Sequence, residues 1–510
     1  MASNTLRHDG AGQTGAADPG LRWGPLLLLV GVAVGLRVLA LLLAKTDLYV
    51  DEAQYWSWAK VPDFGYYSKP PLIAWIIAVT TALFGNSEWA VRLAAPILHG
   101  ATSLVLAALA ARFYGGRVGF WSAVTFLLVP AVSLSSLLIT TDIPLLLAWS
   151  FALLFMARWL DDGGWGNALG LGLAIGVGLN AKYAMAFFPA AALLYLLLTP
   201  EHRRRLLGPQ FWAAIAIGIL LIVPNILWNA AHSFVTFSHT RDNANWSGPA
   251  IHPEAMAEFL GSQFGVFGPI LFAALLAMVF GLRRSANRPA DRFLIVFSVP
   301  ILAAFTLQAI IKEANANWAA TAYPAATILV TALLITHSKP DDAKRRMLFR
   351  ASTGLHGLIA FVLLVAPAFA PSLWLPKIGN PMSRVLGWSD YMSALGKEAQ
   401  ASGARTLIFV RRGDAAEALY YLRDTPFAIA VTPPEPGARP RDHFELTRPF
   451  TTALPAPGLV VLPAPRDTSA PVAWPSLDVT TEAEEGRIPV ARGVTKSLEI
   501  AVRKVTWQTP

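Results

Sequence analysis

The sequence predicts an all-α polytopic membrane protein with a small α/β domain at its C-terminal end. Two observations predict the membrane class: 55% of the 510 residues are hydrophobic, and only 14% are charged. Soluble globular proteins carry about 25% charged residues, so lipid must cover most of this surface. The third observation is a change of composition after residue 376, where charged residues and prolines become common.

Apolar runs that suit membrane-crossing helices predict about eleven spans, because one span needs about 20 apolar residues. These runs lie near residues 24–44, 93–112, 118–138, 143–160, 166–181, 183–199, 210–228, 260–282, 293–311, 317–336 and 353–375. The run 70–85 is short and begins with two prolines, so we interpret it as an interfacial or re-entrant helix. Residues 1–23 are then a disordered cytoplasmic N-terminus, and residues 24–376 form the transmembrane domain.

The loops predict the orientation of the chain in the membrane. Basic residues gather in short loops on one side of the alternating spans, as in the run 202–205, and the positive-inside rule makes that side cytoplasmic. The first loop, 45–92, and all of residues 377–510 then face outward. A strand, a helix and a second strand are predicted within 404–431, which indicates a small α/β domain on the outer side.

Several classes of function are excluded or disfavoured. The chain has no Cys, which excludes disulfides, iron–sulfur clusters and thiolate zinc sites. The net charge of +9 would suit nucleic acid, but the basic residues lie in short loops between spans, so no nucleic-acid partner is expected. No phosphate-cradling or dinucleotide motif is present, which disfavours nucleotide-driven transport. No cofactor is assigned and a divalent metal stays open, although His232 and His239 lack a zinc spacing and are better interpreted as hydrogen-bonding loop residues.

Carboxylates mark two outward segments. Asp51 and Glu52 follow the first span, and adjacent acids at the mouth of a bundle suit acid–base chemistry. The alternative is that they cap an interfacial helix. Asp142 lies between two apolar runs, where an ionisable group usually marks a site, although it also suits the first turn of the following helix.

Cations on the outer side break the positive-inside bias. Together they favour an anionic ligand, such as a phosphate on an amphiphilic substrate, over separate pairing with protein carboxylates such as Glu88, Asp242 or Glu313. The cations are Lys69, Arg92, Lys182, Arg241 and Lys312. Neighbouring Trp and Asn residues are common at sugar-binding surfaces, although Trp is equally common at membrane interfaces.

The ordered set of these segments resembles the GT-C polytopic glycosyltransferases, in the bacterial branch related to protein O-mannosyltransferases and the lipid A aminoarabinose transferase. The resemblance covers about residues 24–340. Its motifs are Asp51-Glu52, Tyr66-Tyr67-Ser68-Lys69-Pro70-Pro71, Thr141-Asp142-Ile143-Pro144, Asn180-Ala181-Lys182 and Ala316-Asn317-Trp318. The aminoarabinose branch carries Glu where this chain has Ser68, which argues against a zinc site built on that residue and against aminoarabinose as the sugar.

The resemblance implies an inverting transferase that moves a sugar from a polyprenyl-phosphate donor to a periplasm-facing acceptor: lipid A or lipopolysaccharide, another envelope glycan, or a protein. It implies that Asp51 is the general base, that Glu52 helps to hold the acceptor and that Asp142 is a second active-site acid. Lys69 would contact the donor phosphate, with Lys182, Arg241 and Lys312 as helpers. The expected substrate-binding residues are Tyr66, Tyr67, His239, Asn317 and Trp318.

Two other classes of function remain as alternatives. A transporter or flippase would need ionisable residues near the bilayer midplane. Arg37 is the clearest charge inside a span, whereas the other polar groups gather at one face. A receptor or scaffold that acts through residues 377–510 would leave Asp51 and Glu52 unexplained.

Overall fold

A computed structural model describes residues 20–244, 251–281, 288–335, 343–463, 480–491 and 497–508. Residues 1–19 of the predicted N-terminal disordered segment lie outside this range. Helices dominate the described chain up to residue 372, and a sheet follows near the C-terminus. The predicted fold class is therefore confirmed.

The α-helices are numbered in chain order over the described residues. They are α1 (Trp23–Leu43), α2 (Val50–Ala59), α3 (Leu72–Phe84), α4 (Glu88–Arg92), α5 (Ala94–Tyr114), α6 (Gly116–Leu128), α7 (Pro130–Ser135), α8 (Asp142–Asp162), α9 (Trp165–Ala181), α10 (Phe187–Leu198), α11 (Pro200–Arg203), α12 (Pro209–Ala231), α13 (Val235–Ala244), α14 (Pro253–Val266), α15 (Pro269–Phe280), α16 (Pro289–Val296), α17 (Val299–Ile311), α18 (Tyr323–Ile335), α19 (Ala343–Val365), α20 (Trp388–Ala401), α21 (Arg412–Tyr421) and α22 (His443–Thr447). Short 3-10 helices occupy Tyr183–Ala186, Arg204–Leu207, Ala316–Ala322, Ala366–Ser372 and Ser383–Val385.

Seven helical segments of the described chain are long and apolar enough to cross a bilayer, and a bent pair would make an eighth. The seven are Trp23–Leu43, Glu88–Tyr114, Asp142–Asp162, Pro209–Ala231, Pro289–Ile311, Ala316–Ile335 and Ala343–Ser372. The bent pair joins Tyr183–Leu198 to Pro200–Leu207 at 115°. The predicted number of about eleven spans is thus not confirmed.

Two of the predicted spans are interrupted. The run 118–138 is helical to Leu128, and a new short helix starts at Pro130. The run 260–282 divides at Gly268, which has φ +98° and is followed by Pro269. Proline lacks a backbone N–H and fits the first turn of a helix, so each proline begins a new helix instead of continuing the old one. No side chain is tolerated at Gly268, since a Cβ there would overlap the imidazole of His356.

The chain divides into two compact units. The bundle unit holds the described residues of Met1–Leu39, Lys69–Ile73 and Leu93–Leu364, and the C-terminal unit holds those of Ala40–Ser68, Ala74–Arg92 and Val365–Pro510. Most of the first loop thus belongs to the same unit as the C-terminal sheet. The bundle unit has a continuous apolar core that includes Trp149, Phe188 and Tyr195.

The C-terminal unit contains a five-stranded mixed sheet in the order β2-β1-β3-β5-β4. Its strands are β1 (Thr406–Phe409), β2 (Ala428–Val431), β3 (Gly458–Pro463), β4 (Thr480–Ala491) and β5 (Ser497–Thr506). β1 is parallel to β2 and β3, while β5 is antiparallel to β3 and β4. The strand–helix–strand prediction for residues 404–431 is confirmed by β1, α21 and β2. The parallel pairing of β1 with β2 follows from the helix that connects them.

Candidate functional site

Asp142 begins α8 in the bundle unit, and both of its carboxylate oxygens accept hydrogen bonds. Lys182 donates from Nζ to Oδ1 at 2.7 Å, and Asn317 donates from Nδ2 to Oδ2 at 2.8 Å. The Asp142 and Lys182 side chains are 15% and 21% exposed. The structure therefore brings together three residues that the sequence singled out in three distant segments, and solvent still reaches them.

The chemistry of this cluster follows from its hydrogen bonds. Because both oxygens of Asp142 are engaged, this carboxylate is better suited to orienting Lys182 and Asn317 than to removing a proton. An ammonium group has three donors, and Asp142 takes one from Lys182. The remaining donors could bind an anionic oxygen. The composition of this cluster therefore suits an anionic ligand.

The backbone around Lys182 is fixed by buried amides. α9 ends at Ala181, and Lys182 itself is extended, with φ −161° and ψ 138°. On one side Asn180 donates to the carbonyl oxygen of Leu221 at 2.9 Å, and on the other the Tyr183 hydroxyl donates to Asn225 at 2.7 Å. These bonds fix the backbone where α9 ends, and they therefore hold Lys182 in position.

Glu52 lies in the first turn of α2 in the C-terminal unit and is almost fully buried. Its Oε2 accepts from Arg92 Nη2 at 2.7 Å, and the two side chains are 2% and 1% exposed. The backbone N–H of Tyr49 also donates to Glu52 at 2.9 Å. Arg92 completes the network by donating to the carbonyl oxygens of Thr46 and Asp47. Glu52 thus fixes the start of α2, as the helix-capping alternative expects.

Asp51 has a different environment although it is the next residue before Glu52. Its side chain is 43% exposed, and Oδ1 accepts from Arg412 Nη2 at 3.0 Å. Arg412 is the first residue of α21, in the C-terminal domain. Of the two adjacent acids, Asp51 is therefore the one that a substrate can reach.

Tyr66 and Tyr67 fix the first loop. Tyr66 is buried and stacks on Trp58 with 4.5 Å between ring centroids, while its hydroxyl donates to the carbonyl oxygen of Trp58 at 3.1 Å. Burial raises the pKa of Tyr66 to about 12. The Tyr67 hydroxyl donates to the carbonyl oxygen of Pro440 at 2.9 Å. Both hydroxyls are thus engaged within the protein, and Lys69, half-buried, follows them in the bundle unit.

The other predicted residues of this unit lie in other segments of the chain. Lys312 lines a cavity of about 610 Å³ together with His252, Glu254 and Glu258. The rings of Trp318 and Phe305 meet edge-on, with 6.1 Å between their centroids. His239 and Arg241 lie on α13.

The five outer cations support an anionic ligand less strongly than the sequence indicates, because three of them pair with protein carboxylates. Arg92, Lys182 and Arg241 pair with Glu52, Asp142 and Asp242, respectively. The Arg241–Asp242 pair spans 3.4 Å and both groups are at least two-thirds exposed, so its contribution to stability is small. The alternative interpretation, in which the cations pair with protein carboxylates, therefore accounts for three of the five. It predicts Asp242 as a partner, but it does not predict Glu52 or Asp142.

Metal binding was left open by the sequence. Across the described ranges, no group of three or more His, Asp and Glu side chains could hold a metal ion. Nδ1 of His232 lies 2.8 Å from the carbonyl oxygen of Trp228, and the two rings stack at 4.0 Å. His232 is therefore a hydrogen-bonding residue at the end of α12.

Four of this chain's likenesses to known proteins and families bear on its family. A family model described as dolichyl-phosphate-mannose-protein mannosyltransferase matches residues 68–228. The lipid A galacturonosyltransferase RgtD of Rhizobium johnstonii is 35% identical over 421 residues, which are 82% of this chain and 86% of that protein. The undecaprenyl phosphate-alpha-4-amino-4-deoxy-L-arabinose arabinosyl transferase of Serratia proteamaculans is 25% identical over 61% of this chain and 57% of that protein.

The fourth likeness is structural. ArnT from Cupriavidus metallidurans has been solved in the apo state and bound to undecaprenyl phosphate, and each structure matches with a TM-score of 0.65. The match covers 94% of this chain and 98% of ArnT at 17% identity. At this identity the likeness shows a shared fold.

Proposed function

Because this chain belongs to the GT-C membrane glycosyltransferases, the family that includes the lipid A galacturonosyltransferase RgtD, we propose that it transfers a galacturonosyl group from a polyprenyl-phosphate donor to lipid A. The enzyme class is a glycosyltransferase. The sugar and acceptor rest on one observation, the 35% identity that extends over 82% of the chain. An alignment of this length includes most of both compact units.

The lipid-linked donor is supported by physical chemistry and by the relatives. The periplasm supplies no nucleotide sugars, whereas polyprenyl phosphate is anionic and soluble in the membrane. The related ArnT binds undecaprenyl phosphate, and the Serratia transferase uses an undecaprenyl-phosphate sugar. A carrier of this kind suits lysines at the outer ends of membrane helices.

The proposed chemistry is a direct displacement at the anomeric carbon. Asp51 accepts the proton of an acceptor hydroxyl while that oxygen forms the new bond to C1. The bond from C1 to the phosphate oxygen breaks, and polyprenyl phosphate leaves with the electron pair. A single displacement of this kind inverts the configuration at C1.

The negative charge that develops on the leaving phosphate needs fixed donors. Lys69 is proposed to contact this phosphate. Lys182 is proposed as a second donor, since it is held at 2.7 Å from Asp142 with further N–H groups in reach of a ligand. We assign Asp142 and Asn317 to orienting Lys182, in place of a direct acid–base role.

The site is proposed to face the periplasm from the inner membrane. The support is the basic segment around α11, which the positive-inside rule assigns to the cytoplasm. Lipid A passes through the outer leaflet of that membrane before export, so its sugar hydroxyls are available there.

The proposal is tested by mass spectrometry of lipid A from a strain that lacks the protein. The expected result is lipid A without one hexuronate residue, restored when the wild-type chain is expressed. Lipid A that keeps its full uronate content would overturn the assignment of acceptor and sugar. The core oligosaccharide is analysed separately, because loss of uronate there instead would transfer the assignment to the core.

A further inference from the structure

Arg412 joins the C-terminal domain to the proposed general base. It begins α21, and its guanidinium spans two residues of α2: Nη2 donates to Asp51 Oδ1 at 3.0 Å and Nη1 donates to Gln54 Oε1 at 2.6 Å. Gln54 is buried, so one end of this fork is fixed in the protein interior. The other end holds a carboxylate that is 43% exposed.

The position of Arg412 is unfavourable for a helix on its own. The N-terminus of a helix is its positive end, and cations there oppose the helix dipole. The preceding residue, Arg411, offsets this by pairing with the buried Asp414 of the same helix at 2.8 Å. Arg412 instead directs its charge to Asp51 on a different helix. The position of Arg412 is therefore better explained by its pairing with Asp51 than by any stabilisation of α21.

α21 is held firmly against α2. A Cβ at Gly413 would lie 3.2 Å from Val50 Cγ1, so the two helix starts are in close contact. Near the other end, Tyr420 packs edge-on against Trp56 at 5.0 Å, and the Tyr421 hydroxyl accepts from the backbone N–H of Leu48 at 2.9 Å. With both ends of α21 anchored, the guanidinium of Arg412 has a defined location.

We propose that Arg412 is a positioning residue for Asp51, so that the C-terminal domain supplies the group that orients the base. This inference rests on the proposed function, in which Asp51 is the base. A carboxylate at a half-exposed helix start samples several rotamers. The arginine holds Oδ1 and leaves Oδ2 to accept the proton of the incoming hydroxyl. Orientation of this kind acts on the rate of the chemical step more than on substrate affinity.

The test compares sugar transfer by purified variants of the full chain in detergent, with kcat and KM measured separately. The variants are Arg412→Gln, Arg412→Lys and the matched control Arg405→Gln, which removes the same charge from an exposed position in the same unit. For Arg412→Gln we expect kcat to fall by about 10- to 100-fold, with KM within about twofold of wild type. Arg412→Lys should lie between that variant and wild type, because it keeps the charge but loses the fork. Arg405→Gln should retain the wild-type kcat.

Three results would overturn the proposal: an unchanged kcat for Arg412→Gln, a raised KM with kcat retained, or an equal loss in Arg405→Gln. If Arg412→Gln does not fold, Arg412→Lys decides, since a full wild-type rate in that variant excludes the positioning role. A wild-type chain that transfers no sugar would instead contradict the proposed function. The two failures are therefore distinguishable.

Discussion

Arg92 and Glu52 form an ion pair of 2.7 Å in which both side chains are at most 2% exposed, although 40 residues separate them in sequence. Removal of one partner from a buried pair leaves an uncompensated charge, which costs about 3 to 5 kcal/mol. Arg92→Met should therefore lower the free energy of unfolding by that amount, as measured by denaturation in detergent.

The control for this prediction is Arg241→Met, because the Arg241–Asp242 pair is exposed and weak. Its stability should remain within about 0.5 kcal/mol of wild type. Equal stabilities of the Arg92 and Arg241 variants would show that the buried pair does not hold the first loop.

Asp142 and Lys182 should act as one unit in the transfer reaction. Asp142→Asn and Lys182→Met are each expected to reduce kcat by about 100-fold, since either change removes an oriented charge near the donor phosphate. The double variant should lose little more than the single ones, because residues that act together are not additive. Single losses that multiply in the double variant would contradict this coupling.

His443 makes the stability of the C-terminal unit sensitive to acid. Its ring meets Trp58 edge-on with 5.3 Å between centroids, and burial, with a smaller effect of Arg448, lowers the pKa of His443 to about 3. The unfolded chain, with a pKa of about 6.5, then binds the proton more tightly, so stability is present above pH 6.5 and falls as the pH drops.

The expected loss between pH 7 and pH 5 is about 1 to 2 kcal/mol, since the ring is only half-buried. It should be absent from His443→Phe, which keeps the aromatic contact without the titrating group. The measurement is the difference in unfolding free energy between wild type and this variant at the two pH values. A difference that stays constant with pH would rule out the assignment to His443.

The proposed orientation can be tested by cysteine labelling, because the natural chain contains no Cys. Val61 is 66% exposed beside α2, and Arg204 is exposed after α11. In spheroplasts, a membrane-impermeant maleimide should label Val61→Cys but label Arg204→Cys only after lysis. The opposite pattern would place Asp51 in the cytosol and contradict a periplasmic site.

The cluster at Asp142 could be predicted from sequence because its parts lie at helix ends. Asp142, Lys182 and Asn317 each occupy a short polar segment between apolar runs. If alternating spans return these segments to one membrane face, the residues meet in space. Polar residues in short segments between spans therefore indicate which residues lie at the same membrane face.

The environment of Asp51 could not be predicted in the same way. Its partner Arg412 lies 361 residues away, in a soluble-type domain whose docking leaves no periodic signal in the sequence. Arg411 and Arg412 oppose the dipole of the helix that they begin. This local signal does not identify the residues with which they pair. The structural role of Glu52 was foreseen only as a helix cap, without its ion pair to Arg92.

One span that is interrupted in the structure and one strand that the sequence analysis does not predict both have local sequence signals. Gly268-Pro269 inside the run 260–282 is a local signal for a helix break that hydropathy overrides. The alternation of Leu498, Ile500 and Val502 is typical of a strand, and β5 lies there in the structure. Strands of mixed composition, such as β4, depend on pairing with neighbours for their stability and are harder to predict.

Transfer of galacturonate from a polyprenyl-phosphate donor to lipid A by the purified protein is the most informative measurement. Wild type should form uronate-bearing lipid A, whereas Asp51→Asn and Lys69→Ala should each lose at least about 100-fold in kcat while still folding and inserting in the membrane. Asp51→Asn is expected to leave stability nearly unchanged, since its carboxylate is 43% exposed. Normal turnover by Asp51→Asn would rule out Asp51 as the general base. The absence of transfer by wild type with this donor would rule out the proposed reaction.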